Sequence, residues 1–357
     1  MKIVVRSPNW IGDQILAYPF FAHLRRLYPD AQIDVVCVPR VAKLQYRGFI
    51  QSVFEISPAP SSSFLSKWRS LAKTAKAIRR QNTYDLGFIL PNSLSSAYLM
   101  SKIQVKKKVG YSLEGRSVFL DERVPWSKGA HDHRATAYCR LLGDEVSVSG
   151  EDYWRMDTTL PPIEGRAISR EFDDQSHWPC EEHLPVPEEP YFVLGPGSTA
   201  DSRRWSVESY AAFAQKAMDR WKLIPVIVGG PSEVSLGVAL KEKLGTSCLD
   251  LTDQSSIPQL SRIFKKARFC LTNESGLAHV SALFGCSTYI VCGAADPKRT
   301  TPIGPGRVRV MTNPVDCWPC EKNVCYHEGE KTNQCLKGIH ADRVFYEIQS
   351  EEYEVQL

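Results

Sequence analysis

Short runs rich in β-branched and aromatic residues alternate along this chain with stretches of helical periodicity. No other feature restricts the fold as much. Lys2–Arg6, Ile33–Val38, Leu86–Leu90 and Lys108–Tyr111 are the strand-like runs of the first half. Tyr191–Leu194, Ile224–Val228, Phe269–Thr272, Thr288–Cys292 and Arg307–Met311 are those of the second. Between them lie segments such as Tyr18–Leu27, with Phe20, Phe21, Leu24 and Leu27 on one helical face, and Trp68–Arg80. Strands that alternate with helices form parallel sheets of βαβ units. A length of 357 residues is too great for one compact core and fits two such domains. The expected fold class is therefore α/β, with two Rossmann-like, doubly wound domains facing a central cleft. We place an N-terminal domain at 1–165, an acidic proline-rich linker at 166–190, a C-terminal domain at 191–340 and a terminal helical segment at 341–357. The helical stretch Ala341–Ser350 is expected to pack across the joint. In open sheets of this kind, ligands bind beyond the carboxyl ends of the strands.

Charge is unevenly distributed. Residues 1–140 hold 22 Lys and Arg against 9 Asp and Glu, whereas residues 141–190 hold 3 against 13. So basic a first half suits an anionic partner, whether nucleic acid, an acidic membrane surface or a phosphorylated glycolipid. Lys106, Lys107, Lys108, Arg116 and Lys128 crowd one region of it. No apolar run approaches the roughly 18 residues that span a bilayer. Met1–Arg6 reads as a strand and not as a signal peptide, so we expect a cytoplasmic protein whose eleven cysteines are reduced or metal-bound.

Four turns at strand ends could carry chemistry. Leu271-Thr272-Asn273-Glu274-Ser275-Gly276-Leu277-Ala278-His279 closes a strand and opens a helix. Backbone N–H groups at the positive end of a helix dipole suit phosphate. Glu274 would be misplaced beside bare phosphate, and makes sense if it binds hydroxyls of a sugar attached to it. Ser7-Pro8-Asn9-Trp10-Ile11-Gly12-Asp13 follows the first strand. There Asp13 is either an N-cap or a base for an acceptor hydroxyl. Gly195-Pro196-Gly197-Ser198-Thr199-Ala200-Asp201-Ser202-Arg203-Arg204-Trp205 offers glycine freedom, hydroxyls and an Arg pair to a diphosphate. Its spacing is neither GxGxxG nor a Walker loop. Glu233, after Gly229-Gly230-Pro231-Ser232, either complements a helix dipole or accepts from ribose hydroxyls.

The tail carries Cys317, Cys320, Cys325 and Cys335 in the pattern C-x₂-C-x₄-C-x₉-C, four thiols within nineteen residues. Such a set suits a tetrahedral structural zinc or iron site, with His327 as a substitute ligand and a redox pair as the alternative.

The ordered set Asn9-Trp10-Ile11-Gly12-Asp13, Leu90-Pro91-Asn92-Ser93, Gly195-Pro196-Gly197-Ser198 with Arg203-Arg204-Trp205, and Thr272 to His279 resembles the lipopolysaccharide heptosyltransferases of glycosyltransferase family 9, nearest the heptosyltransferase II type. The resemblance spans nearly the whole chain. It implies a GT-B fold, an acceptor-binding first domain, an ADP-heptose-binding second domain and an inverting transfer without a catalytic metal. Asp13 would be the base. Ser198, Thr199, Arg203 and the helix start at Ser275, Gly276 and Leu277 would hold the diphosphate, with His279 in the same donor motif. Glu233 would hold the ribose and Glu274 the sugar. Asn92, Lys106, Lys107, Lys108 and Arg116 are the candidate acceptor contacts. The expected partners are an ADP-sugar, an anionic lipopolysaccharide core and the inner-membrane surface, with no nucleic acid. Two departures leave the sugar open. Arg203 stands where the family usually has Lys, and Glu274 where it usually has Asp. The alternative is a related transferase that uses another NDP-sugar or another glycan or protein acceptor.

Overall fold

The computed structural model describes residues 1–143 and 186–353, apart from Arg47, Pro60, Ser62 and Glu114. Most of the expected linker, 166–185, lies outside the described residues. The chain divides into two compact units, Met1–Glu164 and Gly165–Leu357. No helix among the described residues is long and apolar enough to cross a membrane.

The first unit is built on strands β1 (Lys2–Arg6), β2 (Gln32–Cys37), β3 (Ser52–Glu55), β4 (Tyr84–Ile89), β5 (Val105–Ser112) and β6 (Glu122–Pro125). All pair in parallel, in the order β3-β2-β1-β4-β5-β6. The second unit carries β7 (Tyr191–Gly195), β8 (Ile224–Ile227), β9 (Leu249–Asp250), β10 (Cys270–Asn273), β11 (Thr288–Cys292) and β12 (Val308–Thr312). It too is all parallel, ordered β12-β11-β10-β7-β8-β9. Read from its own first strand, each sheet has the doubly wound order 3-2-1-4-5-6.

The central strands form because their residues are apolar on both faces. Ile3, Val4, Val5, Phe192, Val193 and Leu194 are all fully buried, as helices covering both sides of a parallel sheet require. The edge strands β3, β6 and β9 are short and mixed in character, and apolar periodicity did not reveal them. In each unit the chain reverses its winding at one point: between β1 and β4, and between β7 and β10. Loops leaving the carboxyl ends of those two strand pairs border the ligand-binding crevice of a doubly wound sheet. They are Ser7–Asp13 with Leu90–Ser93, and Pro196–Arg204 with Glu274–Leu277.

The final helix, Ala341–Glu352, belongs to the core of the second unit. Its Val344, Phe345 and Ile348 are buried there, and the Phe345 ring stacks on Trp221 of helix Val207–Trp221 at 4.6 Å. The expectation that this helix would pack across the joint is replaced by this packing on its own unit.

Candidate active site

In the first unit the loop after β1 is fixed by buried polar contacts. Arg6 is 3% exposed, and its guanidinium donates to the Ser7 carbonyl and to Asn9 Oδ1. Burial pushes this guanidinium down to about 10. Gln14 Nε2 donates to Gln45 Oε1 at 3.3 Å, Gln45 Nε2 donates to Ser7 Oγ at 3.2 Å, and the Tyr46 hydroxyl donates to the Gln14 carbonyl at 2.6 Å. With both ends of helix Ile11–Leu16 held in this way, Asp13 sits in its first turn.

Asp13 is not the N-cap. Trp10 holds that position and makes no side-chain cap bond. The Asp13 carboxylate instead faces helix Arg134–Cys139: Arg134 Nε is 3.6 Å from Oδ1, and the Tyr138 hydroxyl shares a hydrogen bond with it. Burial and the adjacent carboxylate raise Tyr138 well above an ordinary phenol. Tyr138 therefore faces the carboxylate as a neutral hydroxyl donor. Arg134 and Tyr138 are spaced i, i+4, which puts both on one helical face. That spacing is visible in the sequence, but nothing local ties 134 to 13.

Asn92 is half-buried at the end of β4, and its Oδ1 is buried with no hydrogen-bond partner among the described residues. A buried acceptor without a donor is unusual and marks a place where a ligand group would be satisfied. Ser93, next to it, caps helix Leu94–Lys102 by accepting from Ser96 N–H.

Two expectations for this unit are corrected. Arg116 is fully buried, and its guanidinium donates to the Pro91 and Ile89 carbonyls. It clamps the loop bearing Asn92 from behind and has no surface to offer an acceptor. Gly110 makes room for it, since a Cβ there would come within 2.6 Å of Arg116 Nη2. Lys106, Lys107 and Lys108 lie at the amino end of β5, the sheet edge opposite Asp13 and Asn92. They pair with Asp85, Glu122 and Asp121 respectively. Strand direction and these ion pairs remove them from the crevice of their own unit.

In the second unit, Asn273 joins the two loops. It accepts from Trp205 N–H at 2.9 Å and donates from Nδ2 to the Pro196 carbonyl at 2.7 Å. Thr272 Oγ1 donates to the Gly195 carbonyl, and Ser198 Oγ to the Glu274 carbonyl at 3.3 Å. Gly195 permits this closeness, because a Cβ would lie 2.4 Å from Leu277. Arg204 donates to the Ser198 carbonyl and pairs with Asp201, so it braces the loop. Arg203 Nη1 reaches Glu274 Oε2 at 2.6 Å. Glu274 is 9% exposed. Thr199 is exposed beside them.

Helix Gly276–Leu283 starts here with Ser275 as N-cap and no side-chain cap bond, and Ser275 Oγ is buried without a partner among the described residues. The first N–H groups of a helix have no partners within it, so this end is a concentrated donor site. His279 is buried inside the same helix at 5% exposure. Glu233, on the loop after β8, accepts Gly230 N–H at 2.7 Å through Oε2. Its other oxygen lies over Gly197, where a Cβ would come within 1.9 Å. Gly197 is therefore needed to seat the Glu233 carboxylate beside the loop that carries Ser198.

Cys317, Cys320, Cys325 and Cys335 line one cavity of about 560 Å³, together with His327 and Tyr326. All four are free thiols. Asn333 N–H points at Cys325 Sγ at 3.3 Å, and the Tyr326 hydroxyl bonds to Cys317. Among the described residues, however, no three His, Cys, Asp or Glu side chains converge closely enough to hold an ion. The donor chemistry fits a soft metal, but the thiols as placed do not form such a group.

The family model "Glycosyltransferase family 9 (heptosyltransferase)" matches residues 71–330. Lipooligosaccharide heptosyltransferase 2 of Haemophilus ducreyi is 23% identical over 98% of both chains. The solved ADP-heptose lipopolysaccharide heptosyltransferase II of Escherichia coli superposes with a TM-score of 0.73 at 20% identity, covering 100% of each chain. The iron-containing dodecameric heptosyltransferase TibC of enterotoxigenic E. coli, solved with ADP-D-β-D-heptose, superposes with a TM-score of 0.56 at 11% identity over 99% of this chain and 77% of its own.

Proposed function

The chain belongs to glycosyltransferase family 9, and from that premise we propose that it transfers heptose from ADP-heptose to a hydroxyl of the lipopolysaccharide inner core, with inversion. One observation carries the reading: both switch-point crevices hold the groups that such a transfer needs. Asp13 in the first unit takes the proton of the acceptor hydroxyl as its oxygen attacks the anomeric carbon. The bond from that carbon to the ADP oxygen breaks on the opposite face. Negative charge growing on the leaving diphosphate is met by Arg203, by Ser198 and Thr199, and by the N–H groups at Ser275, Gly276 and Leu277. Prepositioned donors of this kind are worth about 3–4 kcal/mol each. Glu233 accepts from the ribose hydroxyls, and Glu274 orients the sugar together with Arg203. Asn92 offers its unsatisfied Oδ1 to the acceptor. The enzyme works in the cytoplasm at the inner-membrane surface and needs no catalytic metal.

The test is transfer itself. Purified protein is incubated with ADP-heptose and heptose-deficient lipopolysaccharide, and the product is read by mass. A panel of ADP-, UDP-, GDP- and dTDP-sugars runs alongside. Turnover with a non-adenine donor alone would replace the heptosyl reading by the related transferase with another sugar.

The thiol cavity has a structural part in this proposal. A zinc or iron ion draws Cys317, Cys320, Cys325 and Cys335 together and fixes the tail. The thiol-only donor set supports it, and so does the iron in the distantly similar TibC.

A further inference from the structure

Helix Phe64–Gln81 contains six cations and no acid: Lys67, Arg69, Lys73, Lys76, Arg79 and Arg80. All six are exposed, and none has an ion-pair partner among the described residues. The contrast with Lys106, Lys107 and Lys108 is instructive, since each of those is neutralised by a carboxylate. Arg69, Lys73, Lys76 and Arg80 recur at spacings of four, three and four, which lines them along one face. Leu71, Ala75 and Ile78 recur in the same rhythm on the face buried in the first unit.

The amino end of this helix is apolar and in water. Phe64 is 71% and Leu65 65% exposed. The Phe64 ring meets Trp68 at 5.5 Å, Trp68 meets Tyr98 at 4.3 Å, and Tyr98 meets Phe119 at 6.1 Å. Val118, beside Phe119, is 75% exposed, and Lys102 lies over the Tyr98 ring. An apolar and aromatic ribbon of this kind on a water-exposed surface is uncommon without a partner. Here it adjoins a free cationic stripe.

We propose that this surface docks the protein on an anionic lipid bilayer, with Phe64 and Leu65 entering the acyl boundary, Trp68 and Tyr98 at headgroup level, and the cationic stripe against the lipid phosphates. Aliphatic and aromatic side chains beside Lys and Arg are the composition of interfacial helices. Each cation next to an anionic leaflet strengthens binding about fivefold. Nucleic acid would use the cations but has no place for exposed Phe64, Leu65 and Val118. The proposal deepens the membrane-surface part of the reading above. Its test uses neither donor nor acceptor, so its failure is separate from any failure of the transfer chemistry.

The full-length protein is sedimented with vesicles of equimolar phosphatidylglycerol and phosphatidylcholine, and with phosphatidylcholine alone. We expect binding to the first, weakened by salt, and none to the second, with a blue shift of tryptophan emission. Phe64→Ser combined with Leu65→Ser should weaken binding about tenfold. Lys73→Glu with Lys76→Glu should weaken binding at least 25-fold, at about fivefold per cation removed, and flatten its salt dependence, and Lys106→Ala should change nothing. These positions are exposed, so the fold survives, as circular dichroism would verify. Equal binding to neutral vesicles, no binding to either, or a Phe64/Leu65 variant that binds like wild type would overturn the proposal. So would retention on nucleic acid in place of vesicles.

Discussion

Arg203 and Glu274, 71 residues apart, meet at 2.6 Å beside the amino end of helix Gly276–Leu283. The sequence gives no local sign that these two residues belong together, and the structure makes them partners. An arginine fork can keep one N–H on a carboxylate while another grips a phosphate oxygen. Arg203→Ala is therefore expected to weaken ADP binding and to lower kcat/KM about 10²- to 10³-fold. Glu274→Gln should behave differently: it frees Arg203, so ADP binds as well or better, yet sugar transfer falls. Calorimetry with ADP and steady-state rates on the same variants would separate the two. Equal loss of ADP affinity in both would show that Glu274 only holds Arg203 and does not touch sugar.

Asp13 presents a second coupled pair with Tyr138. Asp13→Asn is expected to cost about 10² to 10⁴ in kcat at unchanged fold, the share of a general base. Tyr138→Phe removes the hydroxyl bonded to this carboxylate, so it should lower kcat about tenfold while the fold is unchanged. A Tyr138→Phe enzyme with wild-type kcat would show that this hydrogen bond is structural only.

The switch-point loops were legible in the sequence because their chemistry is local. A strand followed by Asn9-Trp10-Ile11-Gly12-Asp13, or one that runs into Asn273-Glu274-Ser275-Gly276, declares a turn, a helix start and a polar ligand at once. Arg134 and Tyr138 were not legible, because contacts 121 and 125 residues from Asp13 leave no local trace. Charge was misleading for the opposite reason. Lys106, Lys107 and Lys108 form a conspicuous run, but sequence does not show that Asp85, Asp121 and Glu122 neutralise them across β4–β5 and β5–β6. Among the described residues, a block of unpaired positive charge is on helix Phe64–Gln81, whose cations are spread by helical spacing and look like an ordinary solvated face. Edge strands β3, β6 and β9 were missed because only one side of each is paired, which leaves short, polar sequences.

Arg116 provides a test of clamp against acceptor contact. Its removal leaves the Ile89 and Pro91 carbonyls without their charged donor inside the protein. Arg116→Ala should lower unfolding free energy by about 3 kcal/mol. The KM for acceptor in the folded fraction should stay near wild type. Urea titration and acceptor kinetics check the two halves separately; a selective rise in KM at unchanged stability would restore an acceptor role.

For the cavity lined by four thiols, metal analysis of protein purified without added metal should return about one equivalent of zinc or iron. Cys320→Ser and Cys325→Ser should each lose it and reduce thermal stability, while kcat changes little. No metal, with four titratable thiols at full activity, would refute the structural ion.

Alkaline stability follows from the buried phenols. Burial pushes Tyr191 up to about 12, and burial with Asp34 or Glu352 raises Tyr84 and Tyr289 further. Tyr84 donates to Asp34 Oδ2 and Tyr289 to Glu352 Oε1, both at 2.8 Å. Each of these groups holds its proton more tightly folded than unfolded. Their contribution is therefore complete below the unfolded value near 10 and is lost as pH rises through the folded values. Above pH about 10, each buried tyrosine should steepen the fall in stability by about 1.4 kcal/mol per pH unit. Denaturant midpoints taken from neutrality into that range would show the slope. Tyr191→Phe, which removes one ionisable group and its bond to the Ile263 carbonyl, should be less stable at neutral pH but lose stability less steeply in alkali. Parallel curves for the two proteins would mean that Tyr191 does not take part in the alkaline transition.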